Sequence, residues 1–248
     1  LGIEVRATWN RTEATAERTG ELLGEADRRW GPLEEAFDAE DFEGAVVWLT
    51  VVDDAVVEVA GALADRLDGA HLVLHACGSL ESTVLSEAGI AAPVGSLHPL
   101  LAVTDPASGA ERLGACVWTV EGGEAACEFA EAWTSGLGAE LLEVEAGTRA
   151  LYHASAATAA NLVVALFDVA LEMAEAAGIG REDARAMLLP LIKSSVENLE
   201  KQSTGEALSG PADRGDEGTI ERHRAALGEL GGGLAEIYEV LTERALGL

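Results

Sequence analysis

Short β-branched or apolar runs alternate with Ala/Glu-rich segments along residues 3–142, and no other feature of this sequence constrains its fold as strongly. This alternation is typical of a parallel sheet with helices on its faces. The pattern predicts strands over residues 3–9, 45–52, 71–76, 93–97, 115–120 and 140–144. It predicts helices over residues 13–23, 54–67 and 124–136. The first part of the chain is therefore expected to be an α/β domain.

The pattern changes after Gly147, where the β-branched runs disappear. Helices are predicted over residues 149–177, 181–202 and 219–245. We expect Gly178 to end the first of these helices, because glycine adopts the left-handed conformation of a helix end at little cost. The three consecutive glycines at 231–233 should divide the last. The sequence thus predicts an α/β domain over residues 1–145 followed by an all-α domain over residues 146–248.

Charge and cysteine content restrict the classes of partner. Sixteen Lys and Arg residues stand against 44 Asp and Glu, which gives a formal net charge of −28. Such a surface repels a phosphate backbone, so no nucleic-acid partner is expected. Charges or glycines are expected to interrupt every apolar run, which argues against a membrane-spanning helix. The cysteines at 77, 116 and 127 lack metal-ligand spacing and are expected to be reduced thiols in a cytoplasmic protein.

The tripeptide Asn10-Arg11-Thr12 lies where the first predicted strand meets a helix. In a dinucleotide-binding α/β fold this junction meets the adenosine ribose. A guanidinium beside a hydroxyl group suits the 2′-phosphate of NADP, whereas NAD-binding proteins tend to place an acid there. The alternative is a polar turn in which Thr12 caps the helix, and the spacing does not decide between the two.

Polar residues also follow three of the other predicted strands. Asp53 and Asp54 follow the second predicted strand, which ends at Val52. The segments His75-Ala76-Cys77-Gly78-Ser79 and Gly95-Ser96-Leu97-His98 end the next two. Open α/β sheets bind ligands at the carboxyl ends of their strands. We therefore expect Val52, Asp53, His75, Gly78 and Ser79 to contact a cofactor and His98 to face the same cleft. The competing interpretation for Asp53 or Asp54 is a helix cap.

The helix predicted from Arg149 onward carries Tyr152, His153 and Asn161. Helical spacing brings His153 and Asn161 close to one face. They either satisfy each other's hydrogen bonds or act on a substrate as proton donor and anchor. Further on, Asp216 follows a Gly/Pro-rich turn and is expected to cap the last helical segment.

Taken together, these segments resemble the family that joins a Rossmann-like NADP-binding domain to a helical domain of unknown function, number 2520. The resemblance rests on Asn10-Arg11-Thr12, Val52-Asp53-Asp54, His75–Ser79, Gly95–Leu100, Tyr152-His153-Ala154 with Asn161, and Gly210-Pro211 with Arg214-Gly215-Asp216. The architecture is similar to that of β-hydroxyacid dehydrogenases and ketopantoate reductases. It implies hydride transfer with NADP and a homodimer formed through the helices.

The chain departs from this pattern in two ways. It has no Gly-x-Gly-x-x-Gly turn, and residues 1–5 resemble the start of the family's second strand, so we expect a first strand, glycine loop and helix to precede Leu1. Where the relatives usually carry a catalytic lysine, one turn before Asn161, this chain has Ala157.

The leading hypothesis is therefore an NADP-dependent oxidoreductase acting on a small 2-oxo or 2-hydroxy acid. Arg11 would bind the 2′-phosphate, Asn161 would orient the substrate, and His153 or His98, with a pKa near neutral, would supply the proton. The alternatives are a noncatalytic NADP-binding or sensing protein and a helical dimerisation module that binds no nucleotide.

Overall fold

The computed structural model describes residues 4–23 and 26–248. Its strands are β1 Ala7–Asn10, β2 Asp27–Trp30, β3 Val46–Leu49, β4 Leu72–His75, β5 Val94–Leu100, β6 Val117–Gly122 and β7 Glu140–Glu143. Its helices in the first part of the chain are α1 Glu13–Leu23, α2 Leu33–Ala36, α3 Val56–Leu63, α4 Thr83–Glu87, α5 Pro106–Arg112, α6 Glu124–Leu137 and α7 Arg149–Ala159. The remaining helices are α8 Asn161–Ala176, α9 Arg181–Leu199, α10 Thr204–Ala207, α11 Glu217–Gly228 and α12 Leu234–Leu246.

The strands form two sheets, a parallel pair β1–β2 and a five-stranded sheet in the order β3-β4-β5-β6-β7. Strands β3, β4 and β5 are parallel, as are β6 and β7. The predicted fold class, a Rossmann-like parallel-sheet region followed by helices, is confirmed. One pair departs from it, since β5 and β6 are antiparallel. The connection between them contains only the short helix α5, and the chain re-enters the sheet at the edge it left.

Strand β2 was not predicted, because the sequence Asp27-Arg28-Arg29 lacks the apolar alternation of a strand. It pairs residue by residue with β1, from Ala7 opposite Asp27 to Asn10 opposite Trp30. The strand predicted over 3–9 begins at Ala7, and residue 3 lies outside the described residues.

Strand β4 is buried on both faces and separates two apolar clusters. Val73 packs into a cluster with Leu49, Val56 and Leu85, whereas Leu72 and Leu74 pack into a second cluster with Leu97, Trp118 and Ala130. Alternate strand residues point to opposite faces. Because both faces of β4 are buried, apolar residues follow one another along it.

The helix predicted over 149–177 is interrupted at Ala160, which ends α7 before α8 begins at Asn161. The chain divides into two compact units at this point, Leu1–Ala160 and Asn161–Leu248. The sequence placed the boundary after residue 145, but α7 belongs to the first unit. Its first residue, Arg149, is wholly buried and hydrogen-bonded to the loop that follows β4.

The expectation that every apolar run is interrupted by charge or glycine is wrong for this region. Residues 150–167 contain no Asp, Glu, Lys or Arg, and the stretch Arg149–Ala176 is long and apolar enough to cross a membrane by length and composition alone. One such stretch is weak evidence for a span, and only 6% of its apolar window is buried within the described structure.

The second unit is entirely helical in the described structure. Leu171 and Ala174 of α8 pack against Ala184 of α9. Gly178 has a φ of 86° and follows α8, as predicted from its place in the sequence. Gly231, Gly232 and Gly233 also have positive φ values and separate α11 from α12.

Candidate functional site

The loops that follow β3 and β4 meet at one edge of the sheet. Leu49, at the end of β3, lies opposite His75, at the end of β4, so the two parallel strands finish side by side. The hydroxyl of Ser79 donates to Oδ2 of Asp53 at 3.2 Å and joins the two loops. The capping interpretation of Asp53 or Asp54 is wrong, because no described side chain caps the helical turn that begins at Asp53 or α3 after it. Val52 next to it is 75% exposed.

His75 is fully buried, and both of its ring nitrogens are already bonded to backbone groups. The N–H of Cys77 donates to Nδ1 at 3.2 Å, which leaves the proton on Nε2, 3.3 Å from the carbonyl oxygen of Glu81. Burial lowers the pKa of His75 to about 4, so the ring is neutral at pH 7. This side chain shapes the turn after β4, and it is not placed to meet a cofactor as the sequence analysis expected.

Gly78 lies at the closest approach of three segments. A Cβ atom on this residue would be 2.6 Å from Cδ2 of His153 and 3.0 Å from Nε2 of His98. Both distances are shorter than ordinary van der Waals contact, so only glycine lets the loop after β4 pack against the two rings. The structure thus brings together Gly78, His98 and His153, which the sequence selected separately.

His98 belongs to a hydrogen-bonded network with two residues that the sequence analysis did not assign. Its Nδ1 is 3.0 Å from the hydroxyl of Tyr152, and Thr119 Oγ1 donates to the same Tyr152 oxygen at 3.1 Å. The ring of His98 also meets that of His153 edge to face, with 5.9 Å between centroids. Tyr152 was visible in the sequence beside His153, but its hydroxyl gains its partners only through the β5–β6 pairing.

Burial is the main cause that lowers the pKa of His98 to about 4, and the positive charge of Arg149 adds to it. The ring is therefore neutral at pH 7. The hypothesis from the sequence requires a proton donor with a pKa near neutral, and His98 does not meet that requirement. A neutral ring that accepts from Tyr152 at Nδ1 carries its proton on Nε2, the atom nearest Gly78.

Arg149 is the largest fully buried side chain described, and the sequence analysis gave it no role beyond starting a helix. Its Nη2 donates to the carbonyl oxygen of Cys77 at 2.9 Å, and the hydroxyl of Ser96 donates to the same oxygen at 3.2 Å. The guanidinium carbon lies 5.7 Å from the centroid of the Tyr152 ring. Burial lowers the pKa of Arg149.

Two carboxylates accompany this arginine in the first unit. Glu81 Oε1 accepts from the backbone N–H of Arg149 at 3.1 Å and so caps the start of α7. Glu121 is buried and accepts from the N–H and hydroxyl groups of Ser82 at 2.6 and 2.8 Å. Both carboxylates raise the pKa of Arg149, against the larger effect of burial.

The tripeptide Asn10-Arg11-Thr12 begins with the last residue of β1, and its three side chains make different contacts. Thr12 Oγ1 accepts from the N–H of Thr15 at 3.4 Å, and Asn10 Oδ1 accepts from the hydroxyl of Thr19 at 3.3 Å, so both side chains hold helix α1. Arg11 is exposed and forms no ion pair with any described residue. Of the three predicted cofactor contacts, Arg11 alone remains free to bind a ligand.

Asn161 is exposed at the start of α8 and belongs to the second unit. The helix face that it was predicted to share with His153 assumed a continuous helix, which the structure interrupts at Ala160.

Comparison with solved structures shows which fold this is. BF3122 from Bacteroides fragilis, a proposed NADP oxidoreductase, is similar with a TM-score of 0.77 and 20% identity, over 100% of this chain and 90% of that one. Protein TM1727 from Thermotoga maritima has a TM-score of 0.73 and 21% identity, over 96% and 87%. Pyrroline carboxylate reductase from Plasmodium falciparum, solved with NADP bound, has a TM-score of 0.59 and 13% identity, over 96% and 85%. The chain thus has the fold of NAD(P)-dependent reductases.

No protein among the curated ones matches the chain. A family model does, over residues 116–245, which is just over half of the sequence. That match extends from β6 of the sheet through α7, with Tyr152 and His153, into α12. The chain therefore belongs to the family described as a domain of unknown function, DUF2520.

Proposed function

We propose that this protein is an NADP-dependent oxidoreductase that transfers hydride to or from a small 2-oxo or 2-hydroxy acid, in the manner of a ketopantoate reductase. The observation that carries the proposal is the packing of His98 and His153 against Gly78, at the carboxyl end of β4. Open α/β sheets bind their ligands at this edge. The fold shared with reductases supports the same class of activity.

The residues at the strand ends fit a dinucleotide. Arg11 has an exposed guanidinium that forms no ion pair with a described residue and suits a 2′-phosphate. Val52 exposes an apolar side chain that a ribose or nicotinamide ring would cover. Asp53 offers a carboxylate and Ser79 a hydroxyl group between the two loops, beside the buried Gly78. When bound, NADPH supplies the hydride.

The two histidines have different roles towards the substrate. His98 is neutral, and if Nδ1 accepts from Tyr152, its proton lies on Nε2 and can hold the substrate oxygen by a hydrogen bond. His153, which is partly buried beside it, donates the proton that the developing alkoxide requires. A role for Asn161 in orienting the substrate stays a prediction from the sequence.

The test is NADPH oxidation with a panel of 2-oxo acids that includes ketopantoate. We expect turnover in the wild-type protein and its loss in His153→Ala, with NADPH affinity kept. His71→Ala, which removes an exposed histidine before β4, is the matched control and should retain turnover. Normal turnover in His153→Ala would show that the proton comes from elsewhere.

A second candidate is a noncatalytic NADP-binding or sensing protein. The observation that favours it is Ala157, which stands where related reductases usually carry a catalytic lysine. This hypothesis requires NADPH binding without turnover of any 2-oxo acid, and substrate-dependent NADPH oxidation would exclude it.

The partner we propose is a second copy of this chain, joined through the helices of the second unit, in the cytoplasm. Large apolar side chains are more than 40% exposed there on three long helices, namely Leu162, Val164, Leu166, Leu191, Val196, Leu199, Val240 and Leu241. Large apolar side chains exposed in this number favour an interface between copies of the chain.

A further inference from the structure

Arg149 has an unusual balance of burial and hydrogen bonding. Its side chain has no exposed surface, yet Nε and Nη1 find no hydrogen-bond partner among the described residues. Replacing buried charges by apolar side chains of similar volume is often neutral or stabilising. Stability alone therefore does not account for an arginine at this position, and its one side-chain bond, to the carbonyl oxygen of Cys77, lies directly before Gly78.

We propose that Arg149 is the positioning residue of this site: it fixes the Cys77 carbonyl and the Tyr152 ring so that Gly78, His98 and His153 keep one arrangement. The catalytic value of that arrangement rests on the proposed function, but the arrangement itself does not. Arg149 reaches the loop after β4 through Nη2, and its own helix, α7, carries Tyr152 and His153. One side chain thus links the loop to the helix.

The planar guanidinium suits this task better than an ammonium group would. It donates in its own plane to the Cys77 carbonyl while its carbon lies near the face of Tyr152. Ser96 supplies a second bond to the same carbonyl but carries no charge. The pair Arg149 and Ser96 therefore allows the geometric and the electrostatic effects to be separated.

The charge of Arg149 acts on His98 directly. The groups that face His98 are Arg149, Tyr152 and His153 from α7, Thr119 from β6, His75 from β4 and Asp53 from the loop after β3. Among their charges, Arg149, His153 and His75 disfavour the imidazolium form and Asp53 favours it. A neutral His98 can accept from the Tyr152 hydroxyl at Nδ1, whereas an imidazolium can only donate there, so the charge favours the form that is able to accept.

The experiment is an NMR titration of the histidine resonances in the full chain, with His98 assigned by comparison with His98→Gln. In Arg149→Met we expect a folded protein in which the pKa of His98 moves upward by about one pH unit. In Ser96→Ala the pKa of His98 should stay where it is. An unchanged His98 titration in folded Arg149→Met would overturn the proposal. This readout needs neither cofactor nor substrate, so it stands even if no 2-oxo acid is turned over.

Arg149→Lys gives an independent test if the methionine variant does not fold. Lysine keeps the charge but loses the planar fork, so the pKa of His98 should remain low. The Cys77 carbonyl loses its planar guanidinium donor, and we expect kcat with NADPH to fall at least tenfold, with KM for NADPH changed less. If the protein has no turnover, the loss of positioning in Arg149→Lys is instead detected as a changed amide resonance of Gly78. Wild-type kcat and an unchanged Gly78 resonance in Arg149→Lys would contradict the positioning role.

Discussion

Gly78 determines the site most directly, because it has no side chain. We predict that Gly78→Ala destabilises the protein by about 1–3 kcal/mol, because the added methyl group would press on the rings of His98 and His153. The free energy of unfolding from urea denaturation measures this loss.

Gly123→Ala is the matched control, since an added Cβ at position 123 meets nothing within 4 Å. Its φ of −78° is also one that alanine adopts without strain. Equal stability of the two variants would mean that the loop after β4 does not pack against the histidines as described.

The two buried histidines predict how stability depends on pH. Burial lowers the pKa of His75 and of His98 to about 4, below the value near 6.5 of an unfolded histidine. The unfolded state therefore binds more protons between pH 6.5 and 4, so stability falls as the pH falls through that window. The loss is at most about 1.4 kcal/mol for each histidine per pH unit.

Unfolding measured at pH 7 and pH 5 tests this expectation. His98→Gln removes one of the two groups, and its stability should fall less on acidification than that of the wild-type protein. A wild-type protein as stable at pH 5 as at pH 7 would show that the two rings are not held neutral.

For individual residues, the sequence predicted positions at strand ends but not what each side chain does there. Gly78, His98 and Ser79 were found because carboxyl ends of strands share one edge of a sheet. His75 shared that position, yet its ring turns into the core. Arg149 could not be found this way, because a buried arginine and an exposed one look alike in a sequence.

The cap of α11 was predicted correctly from the sequence. Asp216 Oδ1 accepts from the N–H of Thr219 at 3.0 Å and caps α11, as expected. We predict that Asp216→Ala costs about 1 kcal/mol of stability, measured by thermal unfolding. Asp213→Ala, at an exposed position in the preceding turn, should cost much less. A loss of the same size in both variants would argue against the cap.

The sequence did not predict those helices and strands whose formation depends on contacts with other segments of the chain. Strand β2 contains two arginines and an aspartate, and it is a strand because β1 offers it hydrogen bonds. The antiparallel direction of β6 follows from where the chain re-enters the sheet, which local periodicity does not encode. The break at Ala160 falls inside an alanine-rich run that favours helix throughout.

For the whole molecule, the exposed apolar side chains predict self-association. We expect sedimentation equilibrium to give twice the mass of one chain. Higher salt should tighten the dimer, because each copy carries a formal charge of −28 and screening weakens their repulsion.

Leu191→Glu with Val240→Glu should give a monomer, since both side chains are more than 60% exposed on α9 and α12. Leu142→Glu, at a similarly exposed apolar position on β7, should leave the dimer intact. A wild-type chain that remains monomeric at tens of micromolar would contradict the proposed partner.

The most direct test of the proposed function is a calorimetric titration with NADPH and with NADH, using a protein that includes any segment that naturally precedes Leu1. We predict that NADPH binds at least tenfold more tightly, a difference of about 1.4 kcal/mol, and that Arg11→Ala removes most of this preference. Arg18→Ala, at an exposed position on α1, should keep it. Equal affinity for both nucleotides would contradict the assignment of Arg11, and binding of neither would contradict the proposed function itself.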